Sequence, residues 1–134
     1  MATTTATISV SSNILSYPIS INNSMTMKKA GSCHGLEETS GLNTKKITST
    51  TAFKLFGNAE ATAGGASKVY IRNSGASTTD FFYVGYGEDL AAATVETIGR
   101  LYGGNWMLIP WDAVAATTHD IYAKSSTVEP MHIE

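Results

Sequence analysis

Thirteen residues, Gly99 to Trp111 (GRLYGGNWMLIPW), constrain this chain more than any others. Gly103 and Gly104 supply permissive backbone for a turn, and Asn105 to Trp111 then runs almost wholly apolar with two tryptophans and a closing Pro-Trp. A short apolar run bounded by turn residues is expected to be a strand buried on both faces. The neighbouring segments alternate in a way that can cover it. The run is therefore expected to be the central strand of an antiparallel sandwich.

The rest of the chain supplies strands around it. Residues Thr5 to Ser11 alternate, with Ala6, Ile8 and Val10 on one face and hydroxyl side chains on the other, which predicts a half-buried strand. Past Ser12-Asn13 the alternation resumes with Leu15, Tyr17, Ile19 and Ile21. Pro18, which lacks an amide donor, places that strand at a sheet edge, and Asn22-Asn23 reads as a turn. Met25 and Met27 extend a short apolar face.

From Ala30 to Lys46 (AGSCHGLEETSGLNTKK) the pattern dissolves, with Leu36 and Leu42 the only apolar anchors, and a long loop with at most one helical turn is expected. Thr48 to Phe56 restores a strand with Phe53 and Leu55 inward. Lys68 to Asn73 (KVYIRN) alternates through Val69 and Ile71, and Asn73-Ser74-Gly75 has turn chemistry. Phe81 to Tyr86 (FFYVGY) is a second aromatic strand, with Val69 and Ile71 expected across the sheet from it. Glu88 to Thr97 fits either a short helix or a loop leading into a strand, and the loop is preferred because only one turn of helical spacing is visible. His119 to Ser125 and Val128 to Glu134, the latter broken by Pro130, complete eight or nine strands. Turn signals recur at intervals of about 10 residues, the spacing of all-β sandwiches and jelly rolls. The expected fold is an all-β, antiparallel, jelly-roll-like β-sandwich with an extended N-terminal strand or arm and a long loop.

At 134 residues the chain has the size of one domain, here 1–134, with 1–46 as N-terminal strands plus contact loop and 47–134 as the sandwich core. Charged residues make up 15% and the net charge is −2, so neither nucleic acid nor an anionic membrane is an expected partner. The N-terminus has no basic and apolar signal segment, and no run approaches the roughly 20 apolar residues of a membrane helix. The 18 threonines and 14 serines favour strands with an uncharged, wettable exterior. The single cysteine, Cys33, cannot form an internal disulfide.

No motif declares a chemistry. Gly31-Ser32-Cys33-His34-Gly35 fits the nucleophile-elbow string with cysteine, but the elbow needs a strand, a helix and acid and histidine partners on an α/β sheet. A plain glycine loop is the better reading. Cys33, His34, His119 and His132 lack zinc-type spacing, although a site between subunits could still gather them. The carboxylate pairs Glu37-Glu38 and Glu88-Asp89 are adjacent in loops, where side chains diverge and stay solvated. Gly85 and Gly87 do not extend to a phosphate loop, because position 90 is Leu90. Asn22-Asn23-Ser24 matches the glycosylation triplet and is set aside without a secretory signal. Tyr70, Phe81, Phe82, Tyr83, Tyr86, Tyr102, Trp106 and Trp111 could form a sugar-stacking platform, but in a small β-domain most aromatics are core or subunit contact. No catalytic, cofactor-binding or metal-ligating residue is assigned, and no cofactor is expected.

The segments KVYIRNSGASTTDFFYVGYGED, IGRLYGGNWMLIPWDA and DIYAKSSTVEPMHIE, after a Thr-rich N-terminus, resemble small virion structural proteins of tailed bacteriophages. The resemblance covers the last 70 or so residues. It implies a non-enzymatic β-sandwich located in the virion as a capsid decoration (cement), neck or tail component. Its implied partners are copies of itself, as a homotrimer, and major capsid or other virion proteins. Low charge, many hydroxyls and edge strands suit such a subunit, with Thr3 to Ser11 and the Ala30 to Lys46 loop as candidate contact arms. The alternative is an adhesin-like module of a tail or fibre that binds a glycan through its aromatic residues, with Tyr102 and Trp106 as the side chains to test.

Overall fold

A computed structural model describes residues 5–13, 19–26, 42–57, 66–87, 90, 97–112 and 119–134. The chain divides into two compact units, Met1–Gly41 and Leu42–Glu134. The described residues form ten strands and no α-helix, and every strand pairing is antiparallel.

The described part of the first unit is a ribbon of two strands, β1 (Thr5–Ser12) and β2 (Ile19–Thr26), paired without a bulge from Thr5↔Thr26 to Ser12↔Ile19. Directly opposed residues share a face, so the period-2 pattern of each strand sorts the ribbon into two surfaces. Thr5, Thr7, Ser9 and Ser11 line one face with Ser20, Asn22, Ser24 and Thr26, and the Thr7 and Ser24 hydroxyls lie 3.1 Å apart. The other face carries Ala6, Ile8, Val10, Ile19, Ile21 and Met25. Two expectations change here. Asn22-Asn23 is strand rather than turn, because Asn22 pairs with Ser9 and Asn23 with Ile8. The apolar face is exposed rather than half-buried, and all of β2 is exposed. Pro18 and the 30–41 part of the expected loop lie outside the described residues.

The second unit contains β3 (Lys45–Ile47), β4 (Phe53–Phe56), β5 (Ala66–Arg72), β6 (Phe81–Tyr86), β7 (Thr97–Tyr102), β8 (Trp106–Asp112), β9 (Ile121–Ser125) and β10 (Met131–Ile133). One sheet has the order β4-β9-β6-β7, and the pairs β5-β8 and β10-β3 stand beside it. Backbone hydrogen bonds exchanged between Arg72 and Glu134, both 2.8 Å, and from the Ser74 amide to the His132 carbonyl, 3.0 Å, tie the end of β5 to β10.

The core draws on all of these strands. Phe82 and Val84 of β6, Leu101 of β7 and Ile121 and Ala123 of β9 are buried together with Ile47, Val69, Ile71, Trp111, Met131 and Ile133. Phe53, Leu55 and Phe56 of β4 pack against them, as the inward assignment of Phe53 and Leu55 anticipates. Alternation explains the selection: in FFYVGY Phe82 and Val84 are fully buried, Tyr86 is partly buried against the same core, and Phe81 and Tyr83 face the other way.

The position expected for the Trp106 to Trp111 run is corrected. β8 has β5 as its one partner among the described residues, Trp106 is 50% exposed, and only Trp111 is buried at 4%. Pro110 has no amide to donate to a second neighbour, which suits an edge. The central strands are β6 and β9. β6 pairs with β7 and β9, while Val69 and Ile71 meet it through the core and not through a shared ladder. The expected Thr48 to Phe56 strand is shorter, only Phe53–Phe56 (β4), and Lys45 and Lys46, expected in the loop, form with Ile47 a separate strand, β3, because Ile47 is anchored in the core opposite Met131. This additional strand raises the count beyond eight or nine.

Candidate functional site

The segments that carry the resemblance interlock in space. Asn73, the last residue of KVYIRN, is fully buried; its Nδ2 donates to the Leu101 carbonyl at 2.9 Å and its Oδ1 accepts the Gly75 amide at 3.0 Å. Its backbone accepts from Gly104 at 2.9 Å and donates to Asn105 at 3.0 Å, and the Gly103 amide donates to the Ser77 carbonyl at 3.0 Å. Gly104 has φ near 80°, a conformation only glycine adopts without strain. The Asn73 and Gly103-Gly104-Asn105 motifs are thus one hydrogen-bonded corner, and their role is to hold the fold.

Two surfaces remain as candidates for contact with another molecule. The first is the apolar face of the β1–β2 ribbon. Ile8, Val10, Ile19, Ile21 and Met25 are each between 43% and 51% exposed, and neither strand carries a charged residue. An isolated two-stranded ribbon is marginal in water, and uncovered strand edges without lysine, proline or a bulge invite pairing.

The second lies on the outward face of the four-stranded sheet. The register sets Phe81 opposite Tyr102, and Tyr83 between Arg100 on β7 and Lys124 on β9. Phe81 and Tyr83 meet edge to face, with centroids 4.8 Å apart and planes at 79°, and Phe81 also contacts Tyr102 at 5.0 Å. The Arg100 guanidinium lies 4.9 Å from the Phe81 centroid and 5.2 Å from that of Tyr83. Beside the two rings is an open depression of about 570 Å³ whose walls include Thr79, Asp80, Phe81, Tyr83, Lys124 and Ser126. Its polar groups are held in place. Ser77 Oγ donates to Asp80 Oδ2 at 2.8 Å and accepts the Asp80 amide at 2.9 Å, while Ser126 and Phe81 exchange hydrogen bonds of 3.0 and 2.9 Å. Lys124 Nζ donates to the Leu90 carbonyl at 3.2 Å.

An ion pair between a buried carboxylate and an exposed lysine lies elsewhere on the same sheet. Asp120 is fully buried, and its Oδ2 is 2.6 Å from Lys54 Nζ, which also lies over the Tyr122 ring. Hydrogen bonding to Asp120, reinforced by its charge and opposed by desolvation, holds the Lys54 ammonium above the ordinary lysine value. The pair joins β4 to the start of β9.

The sequence candidates are dispersed. Cys33, His34, Glu37, Glu38, Glu88 and Asp89 lie outside the described residues. His119 is exposed, with its ring 6.3 Å from Tyr86 and its carbonyl accepting Trp111 Nε1 at 2.7 Å. His132 is exposed on β10. Among the described residues, no three of His, Cys, Asp and Glu gather as a metal site would require. The eight aromatics do not form one platform: Phe82 and Trp111 are core, Tyr70 accompanies Trp106 at 6.3 Å, and Phe81, Tyr83 and Tyr102 share the outward sheet face. Sequence reasoning missed Asp80, Arg100 and Lys124. Strand alternation held the signal for the two cations, and the Ser-Thr-Thr-Asp string before β6 held that for Asp80.

Comparison with protein-family models, curated proteins and solved structures finds no match to this chain. The class its own coordinates define is an all-β protein with antiparallel sheets.

Proposed function

We propose that the chain is a non-enzymatic bacteriophage virion structural protein, a capsid decoration protein that stabilises the shell through subunit interfaces as a homotrimer. The observation that carries this reading is the uncharged β1–β2 ribbon with its row of exposed aliphatic side chains. Covering the remaining half of five such side chains would contribute about 5 kcal/mol per copy. A compact β-unit with such an arm suits a subunit that buries the arm against copies of itself or a shell protein and has no need of a reactive centre. The resemblance of the segments around Asn73 and Gly103-Gly104 to phage structural proteins points the same way.

The finer architecture belongs to the same reading. With β5 and β10 joined through Arg72, Ser74, His132 and Glu134, the strands β3-β10-β5-β8 make a second layer facing β4-β9-β6-β7, as in a jelly-roll-like sandwich. Antibody raised against the full chain and applied to purified particles tests the function. Label on the shell supports decoration, label on the neck or tail moves the protein within the virion, and particles without the chain refute the proposal.

A further inference from the structure

We propose that the corner between Phe81 and Tyr83 is a carbohydrate seat that takes a pyranose ring of a neutral oligosaccharide. The two rings stand at 79° to one another and make a floor and a wall. Arg100 and Tyr102 brace them from the β7 side, while the depression opens on the β9 side, bounded by Lys124 and Ser126. A pyranose has an apolar face of axial C–H groups and a rim of hydroxyls. An aromatic floor with fixed donors and acceptors at its edge complements both.

The edge has that composition: Asp80 as acceptor, Lys124 as donor, and the Ser126 and Thr79 hydroxyls able to do either. Asp80 is oriented by two hydrogen bonds with Ser77, and Ser126 by its exchange with Phe81, so little side-chain freedom is lost on binding. The volume lies within the roughly 300–1,000 Å³ of small-ligand sites.

On the open β9 side one carboxylate, Asp80, is set against one ammonium, Lys124, while the Arg100 guanidinium is engaged with the two rings on the β7 side, and the Asp80 carboxylate sets a neutral sugar above an acidic one. The same carboxylate disfavours a nucleic acid strand: a base could stack on the rings, but its phosphate would meet Asp80. This seat is independent of the assembly reading, which rests on the ribbon, and either can fail without the other. It differs from the platform the sequence suggested, since it omits Trp106.

The test uses the full chain, fluorescently labelled on an array of neutral glycans and ¹⁵N-labelled for NMR titration with cellobiose, maltose, lactose and N,N′-diacetylchitobiose. The expected result is saturable binding with shifts centred on residues 79–83 and 124–126. Binding weakens about tenfold or more in Tyr83→Ala and in Asp80→Asn, and is unchanged in Trp106→Ala. Asp80→Asn preserves side-chain shape, and Tyr83→Leu replaces Tyr83→Ala should the latter not fold. No saturable glycan on either assay, shifts centred on Trp106, or binding of an oligothymidylate in place of sugars would each overturn the proposal.

Discussion

Replacing Gly103 by alanine isolates the corner that ties β5 to the β7–β8 turn. A Cβ at this position would lie 2.5 Å from the Ser77 carbonyl oxygen, 2.7 Å from its amide nitrogen and 2.8 Å from the Ala76 carbonyl carbon. All three are backbone atoms, so no side-chain rotation relieves the overlap, and the closest is about 0.9 Å short of ordinary contact at 3.4 Å. The Gly103 amide bond to Ser77, 3.0 Å, draws the two segments together and is the bond the new methyl would break. Overpacking costs about 1–3 kcal/mol and a broken, half-buried hydrogen bond about 0.5–1.5 kcal/mol, which sets the loss near 3 kcal/mol. For a unit of this size that is a fall in Tm of roughly 12–24 °C. Two neighbours serve as controls. Gly104→Ala meets no atom within 4 Å but must hold φ near 80°, at a cost of about 1–2 kcal/mol. Gly99→Ala meets nothing within 4 Å and has no left-handed backbone, so its effect stays within about 0.5 kcal/mol. Thermal unfolding by circular dichroism ranks the three. Gly103→Ala as stable as Gly104→Ala would refute the reasoning.

Asn73→Ala removes one buried and one half-buried hydrogen bond and strands the Leu101 carbonyl, so urea unfolding is expected to lose about 2–4 kcal/mol, with Asn73→Asp no better because the donor to Leu101 is gone. Trp111→Ala, in the core, is expected to cost about 3–5 kcal/mol and Trp106→Ala less than about 1 kcal/mol; equal losses would contradict the edge position of β8. The Lys54–Asp120 pair gives an alkaline signature. Because the folded-state value of Lys54 is raised, its contribution is fully present below the ordinary value of 10.5 and is lost as pH rises through the raised one. The stability gap between the native chain and Lys54→Met should therefore hold up to pH 10.5 and narrow only above it, and a gap that closes at lower pH would exclude this origin.

Strand identity was legible wherever alternation was strict. Phe82 and Val84 against Phe81 and Tyr83, Ile121 and Ala123, and Val69 and Ile71 all segregate as a period of two requires. Neighbour relations were not legible. A run such as NWMLIPW is apolar enough for a central strand, yet the ladder is decided by which backbone groups find partners, and Pro110 and the Trp106 end leave β8 at an edge. Asn22-Asn23 carried turn chemistry that an unbroken eight-pair ribbon overrode. The outward aromatic corner was visible only in part. Phe81 and Tyr83 stood out by type and Asp80 directly precedes them, whereas Arg100 and Lys124 come from two other strands and are brought beside the rings by sheet register, which no single stretch encodes.

Sedimentation velocity of the full chain over a concentration series, beside a Val10→Asn, Ile21→Asn double variant, bears most directly on assembly through the ribbon. The two side chains face one another across it and are exposed, so the substitutions leave the core of the second unit untouched. The expected result is an oligomer of the native chain that reverts to monomer in the double variant with an unchanged unfolding transition of the second unit. A native chain that sediments as a monomer throughout, or a variant that associates as the native chain does, would contradict it.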